Sequence, residues 1–191
     1  MTEPTSTLVL KMQAGDLDAL GELYDLYRLP VYRTALGITR DPDAADDILQ
    51  EAFLRLHTYA HRINPALPLA PWLYRIAVNL SYTWVTRRNR WRAPLEDFID
   101  SLIGPTKDNP EPVAEQNDTV RQMQTAIATL PLNQRVVVVL YYLNELSLQE
   151  IADILECPTG TVKSRLHYGR ENLRKVLEGA HPALEANYEF T

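Results

Sequence analysis

Apolar positions recur at helical rather than strand spacing over most of the chain. Within residues 19–39, Leu20, Leu23, Tyr24, Tyr27 and Val31 fall on one helix face. Pro30 lies inside this segment, lacks a backbone N–H, and is expected to bend or interrupt it. A second helix is predicted to open at Asp41-Pro42-Asp43, with aspartate as N-cap, proline in the first turn and acids facing the positive end of the helix dipole. Its apolar stripe is Ala45, Ile48, Leu49, Ala52, Phe53 and Leu56, and Asp43, Asp46, Asp47, Gln50, Glu51 and Arg55 take the wet face. A loop with three prolines fills 57–71. A third helix is predicted from about Trp72 to Arg90, with Trp72, Leu73, Ile76, Ala77, Leu80 and Trp84 on one side and Arg75, Asn79, Tyr82 and Thr86 mostly opposite.

The pattern breaks at 93–118, where four prolines and many acids replace periodicity, as in a linker. The break leaves two small helical modules, 1–92 and 119–178, followed by a short tail at 179–191. Charge follows the same division. The chain carries a net −6, yet 93–118 alone holds seven acids against one Lys. The whole-chain figure therefore hides near-neutral modules and a basic cluster at Arg87, Arg88, Arg90 and Arg92. The expected fold class is all-α, two small helical domains joined by an acidic, proline-containing linker. The run RVVVVLYYL has β-propensity, but no partner strand lies nearby and its flanks are helical, so it is read as helix.

The second module carries the most specific local pattern. Ser147 and Glu150 form the S-x-x-E capping box that opens a helix, and Leu148, Ile151, Ala152 and Leu155 give its stripe. Glu156-Cys157-Pro158 is the break, with Cys157 at a position where Ser or Thr would cap better. The next helix aligns Val162, Leu166, Gly169 and Leu173, leaving Lys163, Ser164, His167 and Arg174 outward and Arg165, Tyr168 and Arg170 on the flanks. A short helix, a tight turn and a second helix with basic and hydroxyl groups near its start make a helix-turn-helix suited to a major groove. The plain alternative is a helical hairpin with a solvated basic face.

The remaining constellations are less specific. TRRNRWR at the end of the third helix suits phosphate contact and stacking on an unpaired base, or is a solvated helix end that favours the dipole. The acids of 41–51 lie where the dipole explains them, and a docking face for a basic partner suits them better than a metal site. A single cysteine excludes an internal disulfide and a multi-cysteine zinc site. No phosphate-binding loop, nucleophile elbow, H-E-x-x-H or deaminase pattern is present, so no catalytic set, no metal ligands and no cofactor are expected. No apolar run approaches the roughly 20 residues needed to span a bilayer, and the N-terminus lacks the basic start of a secretory signal. The expected location is the cytoplasm. Two other functional classes are carried: an autonomous dimeric regulator with a helical sensor domain, and an enzyme acting on nucleic acid.

Four stretches, ALGELYDLYRLPVYRTAL, DPDAADDILQEAFLRLH, PWLYRIAVNLSYTWVTRRNR and LPLNQRVVVVLYYLNELSLQEIADILECPTGTVKSRLHYGRENLR, occur in the order and spacing of bacterial sigma factors of the extracytoplasmic-function type. The chain resembles that two-domain family. The resemblance implies a transcription initiation factor, not an enzyme, that binds core RNA polymerase through its clamp helices and flap. It implies polymerase contact through Asp46, Asp47, Gln50 and Glu51. It implies recognition of a −10 element by Arg75, Asn79, Tyr82, Arg87 and Arg88, with Arg62 and Asn64 from the preceding loop. It implies reading of a −35 element by Lys163, Ser164, Arg165 and His167, with Arg135 and Arg170 near phosphates. An anti-sigma factor is a further partner by family alone. The chain departs from the family pattern in its proline-rich loop before Trp72 and in Glu145, which stands where glycine is common. The acidic linker is further expected to cover basic surfaces in the free protein.

Overall fold

The computed structural model describes the backbone of residues 4–103 and 118–180, and side chains within these except 91–122, 124 and 179–180. Among the described residues all regular structure is helical: α1 (Thr5–Gln13), α2 (Leu17–Thr39), α3 (Pro42–Thr58), a 3-10 turn (Ala60–Arg62), α4 (Leu69–Ile103), α5 (Asp118–Thr129), α6 (Leu132–Tyr142), α7 (Leu148–Leu155) and α8 (Thr159–Ala180).

Helix α2 is the axis of the first module and packs against α1, α3 and α4. It runs unbroken through Pro30, so the interruption that the proline could have caused does not occur. Leu23, Val31, Ala35 and Ile38, on both sides of the proline, are fully buried. Burying such side chains stabilises by about 1.5–3 kcal/mol each, which outweighs the roughly 3 kcal/mol that an interior proline costs. Asp16 caps α2 by accepting from the N–H groups of Asp18 and Ala19. Asp41 caps α3, accepting from the Ala44 N–H at 3.0 Å, and Pro42 occupies the first turn. The predicted stripe of α3 is buried throughout. The sequence pattern assigns nothing to 5–13, yet α1 forms there and buries Leu8, Val9 and Met12.

Helix α4 starts three residues before the expected Trp72 and continues to Ile103, well past Arg90. Leu95, Phe98, Ile99 and Leu102 prolong its helical spacing into the segment expected to be linker. Residues 104–117, where the rest of that linker and its proposed covering role fall, lie outside the described residues.

In the second module α8 lies across α5, α6 and α7. The valine run is helix α6, with Val136 to Val139 all buried. A Cβ on Gly169 would sit 2.8 Å from Val138 Cγ2, so the absence of a side chain lets α8 approach α6 this closely. The capping box at the start of α7 is complete: the Ser147 hydroxyl accepts from the Glu150 N–H, and the Glu150 carboxylate accepts from the Ser147 N–H at 2.8 Å. Glu156 ends α7 in the left-handed region at φ 50°, and its N–H and that of Cys157 both donate to the Ala152 carbonyl. Cys157 is therefore part of the C-terminal cap of α7, and Pro158 directly precedes α8. Glu145, in the turn between α6 and α7, also takes positive φ at 55°.

The two modules touch. Helix α2 packs on α6 and α4 on α7, and the buried side chains of both join one apolar cluster.

Candidate nucleic-acid interface

Helix α4 carries Arg75, Asn79 and Tyr82 at i, i+4 and i+7, on one line. Asn79 is exposed, whereas Arg75 and Tyr82 are half-buried. The Arg75 guanidinium donates to Glu156 Oε1 at 2.9 Å and to the Asp153 carbonyl, both at the end of α7. Burial pushes the Tyr82 phenol above its ordinary pKa, and the nearby positive charge of Arg165 partly offsets this. The face predicted to read DNA in the first module thus meets the helix-turn-helix of the second.

Toward the C-terminal end of α4, Arg87 is exposed. Arg88 stacks on Trp84, 4.8 Å from the ring centroid, and pairs with Asp41 Oδ2 at 2.7 Å. Asp41 is held below the usual carboxylate range, first by the bond from the Ala44 N–H, then, against a desolvation that raises it, by Arg88. These groups border a groove of about 530 Å³ between α3 and α4. Asp47 and Glu51 stand on one wall, Arg87 and Arg88 on the other, with Ile48, Leu80 and Trp84 between. Asp46, Asp47 and Gln50 are exposed on α3, while Glu51 is half-buried and accepts from Arg55 Nε at 2.7 Å. The side chains of Trp91 and Arg92 lie outside those described.

The loop before α4 is built locally. Asn64 Oδ1 accepts from the Ala66 N–H at 2.9 Å, and the Arg62 guanidinium lies 5.4 Å from the centre of the Tyr59 ring. Both Arg62 and Asn64 are exposed. Sequence reasoning missed Gln13 of α1, whose amide donates to the carbonyls of Ala60 and Ile63, each at 2.8 Å. It staples α1 to this loop from about fifty positions away, a relation that no local pattern carries.

On α8, Lys163, Ser164 and His167 are exposed, as their wheel positions predict. The Ser164 hydroxyl donates to the Thr161 carbonyl at 3.0 Å, and His167 meets Tyr168 edge-on. Arg170 turns back toward α6: its Nε donates to the Tyr142 hydroxyl at 2.8 Å and it lies over Tyr141. Arg135, expected near phosphates, is engaged within the protein. It is half-buried and donates to the carbonyls of Ile38, Ala128 and Leu130 at 3.0, 2.8 and 3.0 Å. Burial first, then Arg40, draws its guanidinium below its ordinary pKa. Its Nε is buried without a partner. Among the described residues no group of three or more His, Cys, Asp or Glu could hold a metal ion, and no helix is long and apolar enough to cross a membrane.

Residues 23–92 match the model of sigma-70 region 2, and residues 120–173 match that of sigma-70 region 4. The chain is 34% identical over 181 residues to the ECF RNA polymerase sigma factor SigW of Bacillus subtilis, covering 88% of this chain and 94% of that protein. The chain belongs to the extracytoplasmic-function sigma factors. It is 36% identical over 180 residues to the sigma factor SigE of Mycolicibacterium smegmatis, covering 92% of this chain and 68% of that one. The fold is shared with CnrH, solved in complex with the cytosolic domain of CnrY, at a TM-score of 0.67, 20% identity and 91% and 97% coverage of the two chains. It is shared too with the Bartonella quintana sigma factor RpoE, solved with the anti-sigma factor NepR, at 0.65, 22%, and 83% and 96%. As a member of this family the chain is a transcription initiation factor that binds core RNA polymerase and directs it to promoters.

Proposed function

We propose that the first module, 1–92, docks on core RNA polymerase through Asp46, Asp47, Gln50 and Glu51 and engages the −10 element through α4. Arg75, Asn79 and Tyr82 face the unpaired strand, Arg87 neutralises its phosphates, and Arg62 and Asn64 border the captured bases. Opening the duplex needs no chemistry from the protein; it needs splayed bases held by stacking and by cations. The second module reads the −35 element with Lys163, Ser164, Arg165 and His167 in the major groove, and Arg170 lies beside the backbone. The protein acts in the cytoplasm, has no catalytic activity of its own, and is held inactive by an anti-sigma factor when not needed. The observation that carries this reading is the α7–α8 pair. A complete capping box starts α7, a left-handed residue ends it, and Lys163, Ser164 and His167 project together from the first turns of α8.

The test is retention of purified core polymerase, followed by run-off transcription from a candidate promoter. The wild-type chain is expected to be retained and to give a promoter-specific transcript. A chain with Lys163→Ala and His167→Ala should keep core binding and lose transcripts that depend on the −35 sequence. Absence of both core retention and a specific transcript refutes the proposal.

A further inference from the structure

Arg170 of α8 is engaged differently from Arg135 and Arg174. Arg135 donates to three carbonyls, and Arg174 pairs with Glu171 and Glu178. Arg170 has no carboxylate or carbonyl partner among the described residues; its partners are two adjacent tyrosines of α6. Its Nε donates to the Tyr142 hydroxyl at 2.8 Å, and its guanidinium carbon lies 5.1 and 5.6 Å from the centres of the Tyr141 and Tyr142 rings. The two rings meet edge-on at 5.0 Å. The fold does not need this tie. Helix α8 already packs on α6 through Gly169 against Val138, whereas Arg170 is exposed and Tyr142 is 53% exposed. Neither tyrosine is used in reading either promoter element.

We infer that Tyr142 is a positioning residue for DNA binding: its hydroxyl, with the Tyr141 ring, sets the Arg170 guanidinium so that its outer edge meets a backbone phosphate beside the −35 element. This rests on the placement of Arg170 beside the backbone proposed above. The geometry of α8 gives the phosphate its place. Lys163, His167 and Arg170 stand at i, i+4 and i+7 on one line of the helix. Arg170 is therefore about 10 Å along the axis from Lys163, at about 1.5 Å per residue. A major groove is about 12 Å wide, so with Lys163 at the base edges Arg170 comes to the rim, where the phosphates run. The chemistry fits the edge that is left. With Nε given to the hydroxyl, Nη1 and Nη2 keep their N–H groups for a forked contact with one phosphate. A free arginine side chain gives up rotamer freedom when it makes such a contact. One already held by a hydrogen bond and two aromatic rings gives up less. Tyr141, Tyr142 and Arg170 all belong to the second module, so the arrangement does not depend on how the two modules sit.

Tyr142→Phe tests this in holoenzyme reconstituted with core polymerase, on a promoter that gives a specific run-off transcript. The variant removes the hydroxyl and keeps the ring. Promoter affinity, read by fluorescence anisotropy, should fall about threefold, the worth of one hydrogen bond. The slope of log affinity against log salt should stay as in the wild type, because Arg170 keeps its charge. Arg170→Ala should lower that slope by about 0.9 and weaken binding about tenfold. In the Arg170→Ala background, Tyr142→Phe should have no further effect, since the group it positions is gone. Urea denaturation of each full chain separates a lost contact from a lost fold. A Tyr142→Phe holoenzyme that binds like the wild type overturns the inference. So does a loss that persists in the Arg170→Ala background, with or without a lower urea midpoint, because Tyr142 then acts through something other than Arg170. An unchanged salt slope in Arg170→Ala overturns the placement of Arg170 beside the backbone, and the positioning role with it.

Discussion

Replacing Arg135 with methionine separates two roles that its position in the sequence does not distinguish. Its guanidinium donates to three carbonyls, of which those of Ala128 and Leu130 close the end of α5 within the second module, and only that of Ile38 belongs to the first. Methionine keeps much of the aliphatic bulk and leaves these carbonyls without their donor. Hydrogen bonds from a charged donor contribute about 1.5–3 kcal/mol each. The gain is discounted because the guanidinium is itself partly desolvated and faces Arg40. A net loss of about 2 kcal/mol follows, or a fall of about 4–8 °C in Tm for a chain of this size. The assay is urea denaturation followed by circular dichroism, set beside the salt dependence of promoter binding by the reconstituted holoenzyme. A phosphate contact would lower the slope of log affinity against log salt by about 0.9. A strut should lower stability and leave that slope unchanged. If Arg135→Met unfolds like the wild type and reduces the slope, Arg135 is a DNA contact and the reasoning from its carbonyl partners is wrong.

Asp41→Ala should cost about 1 kcal/mol through the lost N-cap of α3. The folded state holds the Asp41 carboxyl below its unfolded value, so its contribution is full above about pH 4 and is lost as pH falls through the lower folded value; acid titration of stability should show a shallower loss in the variant. Glu145→Gly relieves a left-handed residue and, after the added entropy of the unfolded chain, should raise stability by about 0.5–1 kcal/mol, read as a higher urea midpoint at unchanged m-value. Gly169→Ala should destabilise by about 1–2 kcal/mol despite better helix propensity, and Val138→Ala in the same chain should show a favourable coupling of at least about 0.5 kcal/mol, because it removes the atom 2.8 Å from the new methyl. Gln13→Ala frees the carbonyls of Ala60 and Ile63, and should blunt discrimination among −10 variants in run-off transcription while leaving −35 discrimination intact.

Local signals gave the elements wherever the physics is local. The Asp41 cap, the Ser147–Glu150 box and the stripe of α3 each lie within one or two helical turns of sequence, and each forms as its spacing dictates. The misreadings arise where tertiary packing overrides a local rule. Pro30 is carried inside α2 because apolar residues on both its sides are buried by the same neighbours. Glu145 adopts a left-handed backbone of the kind that glycine takes without strain. Helix α1 escaped notice because its polar and apolar positions are weakly segregated and its burial is supplied by α2.

Side-chain engagement was less legible than the fold, for a physical reason that also bears on how this protein works. A guanidinium suited to a phosphate is equally suited to a carboxylate or a carbonyl, so composition identifies a capable group without identifying its partner. Arg75 finds Glu156 across 81 positions, and Arg135 finds Ile38 across 97. Such pairings cannot be read from spacing. The ion pair is also weak: Arg75 and Glu156 are 42% and 74% exposed, and pairs of this kind contribute on the order of 0–1 kcal/mol. A cation held by so little is released at small cost once the apolar packing of α2 on α6 at Gly37 is broken.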